Sequence, residues 1–186
     1  MRRFAVTDLP LAGLKLFECQ RLGDSRGFLS RLFCAEELAA VGWRKPIAQI
    51  NHTYTALRGT VRGIHFQYPP HAEMKLVSCI RGGVWDVAVD VRAGSPTFLE
   101  WHAQCLCADN GRALLIPEGF AHGFQALTDD VELLYCHSAV HNSSAEAGLN
   151  PQDTRLDINW PLPITGLSAR DAGHPLIGAG FEGVSF

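Results

Sequence analysis

Gly and Pro cut this chain into short segments rich in β-branched and aromatic residues, and that rhythm limits what it can fold into more than any other feature. Segments at residues 14–19, 27–33, 47–55, 61–66, 75–80, 84–91, 99–106, 113–116 and 131–136 read as nine strands, which predicts an all-β sandwich or barrel. In the segment 84–91, Trp85, Val87, Val89 and Val91 alternate with Asp86, Ala88 and Asp90, so one face is expected in the core and the other is expected to be polar. Arg81, Gly82 and Gly83 join 75–80 to 84–91, and adjacent glycines tolerate the positive φ of a tight turn, so a hairpin is expected there. A single helix is expected at residues 35–41 as an edge decoration, with Glu36 and Glu37 at its positive end and Gly42 as its C-terminal cap. After Tyr135 the chain turns polar and proline-containing, which predicts a long excursion held on the barrel by Ile158 and Trp160, with a short helical turn capped by Ser168.

A chain of 186 residues, 47% of them apolar, can bury a substantial core, and without repeats or a linker it is expected to form one domain over residues 1–186. Net charge is −3 with both signs interspersed, which argues against nucleic acid as a partner. Asp8, Pro10 and Lys15 interrupt the N-terminal segment where a signal peptide needs an apolar core, and no run of about eighteen apolar residues occurs, so a cytoplasmic protein with no membrane partner is expected. Cys19, Cys34, Cys79, Cys105, Cys107 and Cys136 show no CxxC spacing and read as small core residues left as free thiols.

Between residues 59 and 92 the strand pattern carries polar groups that an ordinary strand does not need. Arg62, His65, Gln67 and Lys75 fall in or just after apolar runs, and His65 and Gln67 share a face. Burying so much polarity without partners costs several kcal/mol, so a polar pocket is the better reading than a set of satisfied core residues. A second patch, IPEGFAHGF at residues 116–124, contributes His122.

Two spacings resemble the cupin superfamily of double-stranded β-helix barrels. Gly111, Pro117, Gly119 and His122 follow the second cupin motif, with Ala126 in place of its asparagine; Gly59 and His65 follow the first, with Gln67 where a second metal-binding histidine stands. His65, His122 and Glu73 are then the one plausible metal set, and Gln67 is a poor substitute for imidazole. Within that superfamily, RGIHFQYPPHAEMKLV, DVAVDVRAGSPTF, LLIPEGFAHGFQAL and GLSARD are together very similar to the dTDP-4-dehydrorhamnose 3,5-epimerase family. The resemblance implies a cupin-type jelly-roll barrel, a homodimer, no metal and no cofactor, and inversion of carbons 3 and 5 beside the ketone of a nucleotide-linked 4-keto-6-deoxyhexose in deoxysugar biosynthesis. It implies His65 as base with Asp171 as its carboxylate partner, Lys75 at the ketone oxygen, Tyr135 as the acid on the opposite face, and His122 lining the sugar pocket. Arg26, Gln49, Asn51, Arg62, Glu146 and Arg170 fall on positions resembling the family's nucleotide-binding residues; the arginines suit a diphosphate because guanidinium groups offer forked donors.

Departures lie on the base-binding side. Arg31 stands where many family members have glutamate, and Val140 and His141 where they have tyrosines; an arginine donates only, which suits an acceptor edge such as cytosine. The rival readings are a carbon-3-only or CDP-sugar epimerase, a metal-dependent cupin enzyme, and a nucleotide-sugar-binding module without turnover.

Overall fold

A computed structural model describes residues 3–185. Strands β1 (Phe4–Asp8), β2 (Lys15–Cys19), β5 (Gln49–Thr55), β7 (Lys75–Arg81), β10 (Arg112–Ile116) and β12 (Val131–His137) form a six-stranded antiparallel sheet in the order β1-β2-β10-β7-β12-β5. Strands β6 (Val61–Gln67), β8 (Gly83–Asp90), β9 (Trp101–Cys107), β11 (Phe120–Ala126) and β13 (Glu146–Gly148) form a second sheet in the order β13-β6-β11-β8-β9. Successive strands from β5 to β12 cross repeatedly between the sheets, the jelly-roll arrangement that the cupin resemblance implies. Strands β3 (Arg21–Asp24) and β4 (Gly27–Ser30) make a separate two-stranded ribbon.

The expected hairpin across Arg81–Gly83 does not form. β7 pairs with β10 and β12, whereas β8 pairs with β9 and β11, so the turn carries the chain from one sheet to the other. Gly82 takes φ +71 there, and a Cβ on it would meet the Thr128 hydroxyl at 2.5 Å, so glycine is needed for a crossing rather than for a hairpin. The polar face expected on β8 is not at the surface either: Asp86, Ala88 and Asp90 are fully buried, because both faces of this strand are covered.

Three apolar clusters explain that double burial. Val77, Val84, Ala88, Leu114, Phe120, Phe124 and Leu133 fill the space between the sheets. Ile64, Phe66, Val87, Val89 and Val91 lie on the outer face of the five-stranded sheet, where the C-terminal excursion covers them with Leu149, Leu156, Ile158, Trp160 and Ile177. Phe17, Leu76, Leu115 and Cys136 lie on the outer face of the six-stranded sheet under Leu38 and Trp43. The helix α1 (Ala35–Ala39) is therefore a lid on a sheet face rather than an edge decoration, and it ends at Ala40, two residues before Gly42. All six cysteines are free thiols, but only Cys79 and Cys136 are fully buried.

The loop after β8 is shaped by Asp90, whose fully buried carboxylate accepts from Arg92 Nε at 2.9 Å, Arg92 Nη2 at 2.6 Å, Ser95 Oγ at 2.6 Å and Thr97 Oγ1 at 2.6 Å. Burial alone would raise its pKa, but these donors outweigh burial and hold the carboxyl below the usual range. Its stabilising contribution is therefore complete above the unfolded value of about 4 and is lost as pH falls through the lower folded value. Asp90→Ala, which strands the Arg92 guanidinium, is expected to cost roughly 3 kcal/mol in urea unfolding at pH 7, with the gap to wild type narrowing in acid.

Candidate functional site

The interior is divided: the apolar cluster fills one part, and polar side chains line a cavity of about 720 Å³ in the other. His65, Lys75, His122 and Tyr135 all line this one cavity, as do Asp171, Gln49, Asn51, Arg62, Glu146 and Arg170. They come from strands remote in sequence. His65 on β6 sits opposite His122 on β11 in the antiparallel register, while Lys75 on β7 faces His137 on β12. The β6–β11 approach depends on glycine: a Cβ on Gly63, whose φ is +102, would lie 2.6 Å from the Gly123 Cα.

Asp171 arrives from the short helix α2 (Ala169–Ala172), whose start is fixed by Ser168 accepting the Asp171 backbone N–H at 3.0 Å. Its carboxylate takes His65 Nε2–H at 2.8 Å and the Gly63 backbone N–H at 3.2 Å. With the proton on Nε2, the lone pair of His65 is on Nδ1. Burial lowers the His65 pKa; Asp171 opposes that and the nearby Arg170 charge adds to it, and the net direction is down. Burial alone would raise the Asp171 pKa, but the His65 hydrogen bond and charge carry it below the usual carboxylate range. Neutral imidazole beside a carboxylate is the resting state of a general base.

Arg170 lies across this ring, with Nη2 at 3.0 Å from Nε2 and 3.4 Å from Nδ1. Since Asp171 already takes the Nε2 proton, the guanidinium can donate only to Nδ1. Its other end pairs with Glu146 at 3.2 Å. A ligand that engages Nδ1 of His65 must therefore displace Arg170.

Burial, followed by the nearby Asp86 charge, pushes the Tyr135 phenol well above its ordinary pKa, so it holds its proton and can donate it. Its ring meets His122 edge-on at 5.9 Å, and His122 Nε2 lies 3.0 Å from both oxygens of the fully buried Asp86. Lys75 is buried, donates to the His65 carbonyl at 3.3 Å and pairs with Glu73 at 3.3 Å. Glu73 in turn accepts from His137 Nδ1 at 2.8 Å.

The metal set weighed from sequence is not assembled, because His122 is bound to Asp86 and Glu73 to Lys75 and His137. Another trio, His65, Asp171 and His174, offers ligand atoms within 4.8 Å of one another. The Arg170 guanidinium against His65 opposes a cation there, so these residues fit a proton-transfer pair better than a metal site.

Arg26 does not reach this cavity within the chain. It sits on the turn of the β3–β4 ribbon, largely exposed, with its guanidinium on Asp24 at 2.6 Å. Arg31 is also outside, bound to Glu37 at 2.7 Å. Sequence reasoning missed Glu73 as a partner of Lys75 and missed His137 as a cavity residue, whereas His141, read from sequence as a departure on the base-binding side, lines the cavity. The period-2 step from Tyr135 to His137 was the available signal.

The dTDP-4-dehydrorhamnose 3,5-epimerase family model matches residues 8–178. The chain belongs to this family. It is 41% identical over 172 residues to a dTDP-4-dehydrorhamnose 3,5-epimerase of Sinorhizobium fredii, covering 90% of this chain and 86% of that one. It is also 39% identical over 153 residues to a dTDP-4-dehydrorhamnose 3-epimerase of Streptomyces niveus, covering 82% and 73%. The crystal structure of the Bacillus anthracis 3,5-epimerase with TDP and PPi bound superposes with a TM-score of 0.90 at 37% identity, covering 94% of this chain and 99% of that chain. The fold is thus the family's cupin-type β-barrel, and membership makes the protein an epimerase.

In an NMR titration of the ligand-free protein, His65 is expected to titrate below about 6.5, the ordinary imidazole value. Arg170→Gln removes a charge that lowers the pKa and is expected to move the titration upward.

Proposed function

We propose that this protein epimerises a dTDP-linked 4-keto-6-deoxyhexose at carbons 3 and 5, converting dTDP-4-dehydro-6-deoxy-D-glucose to dTDP-4-dehydro-L-rhamnose without a metal or cofactor. One observation carries the reading: a neutral imidazole and a protonated phenol, His65 and Tyr135, line the same cavity with a buried ammonium, Lys75.

The chemistry is enolisation. His65 Nδ1 takes the proton from the carbon beside the ketone, the C–H electron pair becomes a C=C bond, and the C=O π pair moves onto the ketone oxygen to give the enolate. Asp171 holds the imidazolium so formed, and the Lys75 ammonium offsets the oxyanion. Tyr135 returns a proton to the opposite face, and both residues then recover their starting states by exchange with solvent. His122, fixed by Asp86, lines the sugar pocket. Gln49, Asn51, Arg62, Glu146 and Arg170 serve the nucleotide and its diphosphate, with Arg170 swinging off His65 as the substrate enters.

The same reading includes one domain working as a homodimer in the cytoplasm. The ribbon supports the dimer, since among the described residues it pairs with no other strand and it exposes Phe28 and Leu29. Arg26 on that ribbon then serves the site of a second copy. Sedimentation is expected to give twice the 20.3 kDa chain mass.

The Streptomyces niveus relative supports a second reading, inversion at carbon 3 alone. NMR of the ketosugar nucleotide after turnover in heavy water separates them: deuterium at carbons 3 and 5 is expected, and deuterium at carbon 3 only would select the single-centre enzyme. His65→Ala is expected to abolish exchange, Lys75→Ala to reduce it about a hundredfold or more, and Tyr135→Phe to slow inversion more than exchange. Normal turnover by His65→Ala would reject the assigned base, and activity lost to a chelator and restored by iron or zinc would reject metal independence.

A further inference from the structure

The Lys75 ammonium has three N–H donors; it donates one to the His65 carbonyl and is held as an ion pair 3.3 Å from Glu73 Oε1. A donor not taken by the carbonyl is available to a ketone oxygen, so whatever fixes Glu73 fixes where the ammonium sits. Glu73 is held by His137, and His137 can hold it only in one tautomer.

That tautomer follows from a chain of hydrogen bonds whose direction is set by a backbone group. The His141 backbone N–H donates to Gln49 Oε1 at 3.0 Å, which leaves the Gln49 amide nitrogen to donate to Asn51 Oδ1 at 2.9 Å. The Asn51 amide nitrogen therefore faces His137 Nε2, at 3.4 Å, as a donor. His137 Nε2 must accept, so its proton is on Nδ1, 2.8 Å from Glu73 Oε2. Every donor along the chain points toward Glu73, which receives His137 on one oxygen and Lys75 on the other. Reversing His137 would set a lone pair against the carboxylate and cost Lys75 its anionic partner.

We propose that Glu73 and His137 are positioning residues for the epimerisation, holding the Lys75 ammonium aimed at the ketone oxygen, and that Gln49 and Asn51 set the tautomer on which this depends. The proposal rests on the epimerase reading. The direction of the Glu73 pKa agrees with it: burial would raise it, but the His137 hydrogen bond and the Lys75 charge hold it below the usual range. Exposure agrees too, since the side chains of Glu73, Lys75 and His137 are only 9%, 9% and 10% accessible, leaving little water to replace a lost partner.

Two measurements test it. Nitrogen-15 NMR of the wild-type protein is expected to show His137 as the neutral tautomer protonated on Nδ1, and Asn51→Asp, which replaces the donor with an acceptor, is expected to abolish that signature. In heavy-water exchange, Glu73→Gln and His137→Phe are each expected to lower kcat roughly tenfold or more with KM little changed, and Glu73→Asp to recover part of the loss. A wild-type His137 protonated on Nε2, or exchange at wild-type kcat by both Glu73→Gln and His137→Phe, overturns the proposal. If wild-type protein incorporates no deuterium, the epimerase reading itself falls, and this role for Glu73 and His137 falls with it.

Discussion

The hydrogen bond between His65 and Asp171 joins groups 106 residues apart and depends on almost everything else in the fold. For Asp171 to arrive, the chain after β13 must cross the outer face of the five-stranded sheet and return. The apolar surface buried under Leu149, Leu156, Trp160 and Ile177 holds that path in place. Asp153 secures the return locally, accepting the Ile177 backbone N–H at 2.5 Å from a fully buried position. The excursion is thus cover for a sheet and carrier of a carboxylate, and neither role can be lost without the other.

The strand rhythm was legible because short runs rich in β-branched and aromatic residues, bounded by Gly and Pro, are themselves the strands, and each of the nine expected segments overlaps one. β11 escaped because Phe120–Ala126 has no β-branched residue and carries a glycine, although it is the central strand that presents His122. The hairpin between β7 and β8 failed for a different reason. Two glycines mark a place where the backbone can turn sharply, but they do not say whether it turns back beside itself or across to another sheet. In a two-sheet barrel with both outer faces covered, a polar residue alternating with valines points to the cavity as readily as to water. Lys75 was therefore visible as an anomaly and Asp86 was read as part of a polar face, while the partners of both were not visible.

Residue roles and the His65–Asp171 pair came from the family resemblance, whereas the other pairings required coordinates. Nothing in the spacing of Glu73, Lys75 and His137 shows that one carboxylate serves two cations or donors from different strands. Arg26 shows the opposite limit: the resemblance placed it at a nucleotide, but in one chain it extends on a ribbon away from the cavity. A sequence match transfers a residue to a site without saying which copy of the chain supplies it.

Four imidazoles line the cavity; apart from the half-exposed His141, which shares Glu146 with Arg170, the three on strands each have their own carboxylate: His65 with Asp171, His122 with Asp86 and His137 with Glu73. A carboxylate fixes the ring and its proton, so the difference between the three lies in what the rest of each ring meets. His137 has both nitrogens committed, between Asn51 and Glu73. His122 is only 5% exposed, against 21% for His65. On the open ring, Nδ1 meets nothing firmer than Arg170, a half-exposed guanidinium that a diphosphate can draw off. In the proposed reaction, similar pairs therefore divide into one that accepts a proton from the ligand and two that hold other groups in place, and access decides which is which.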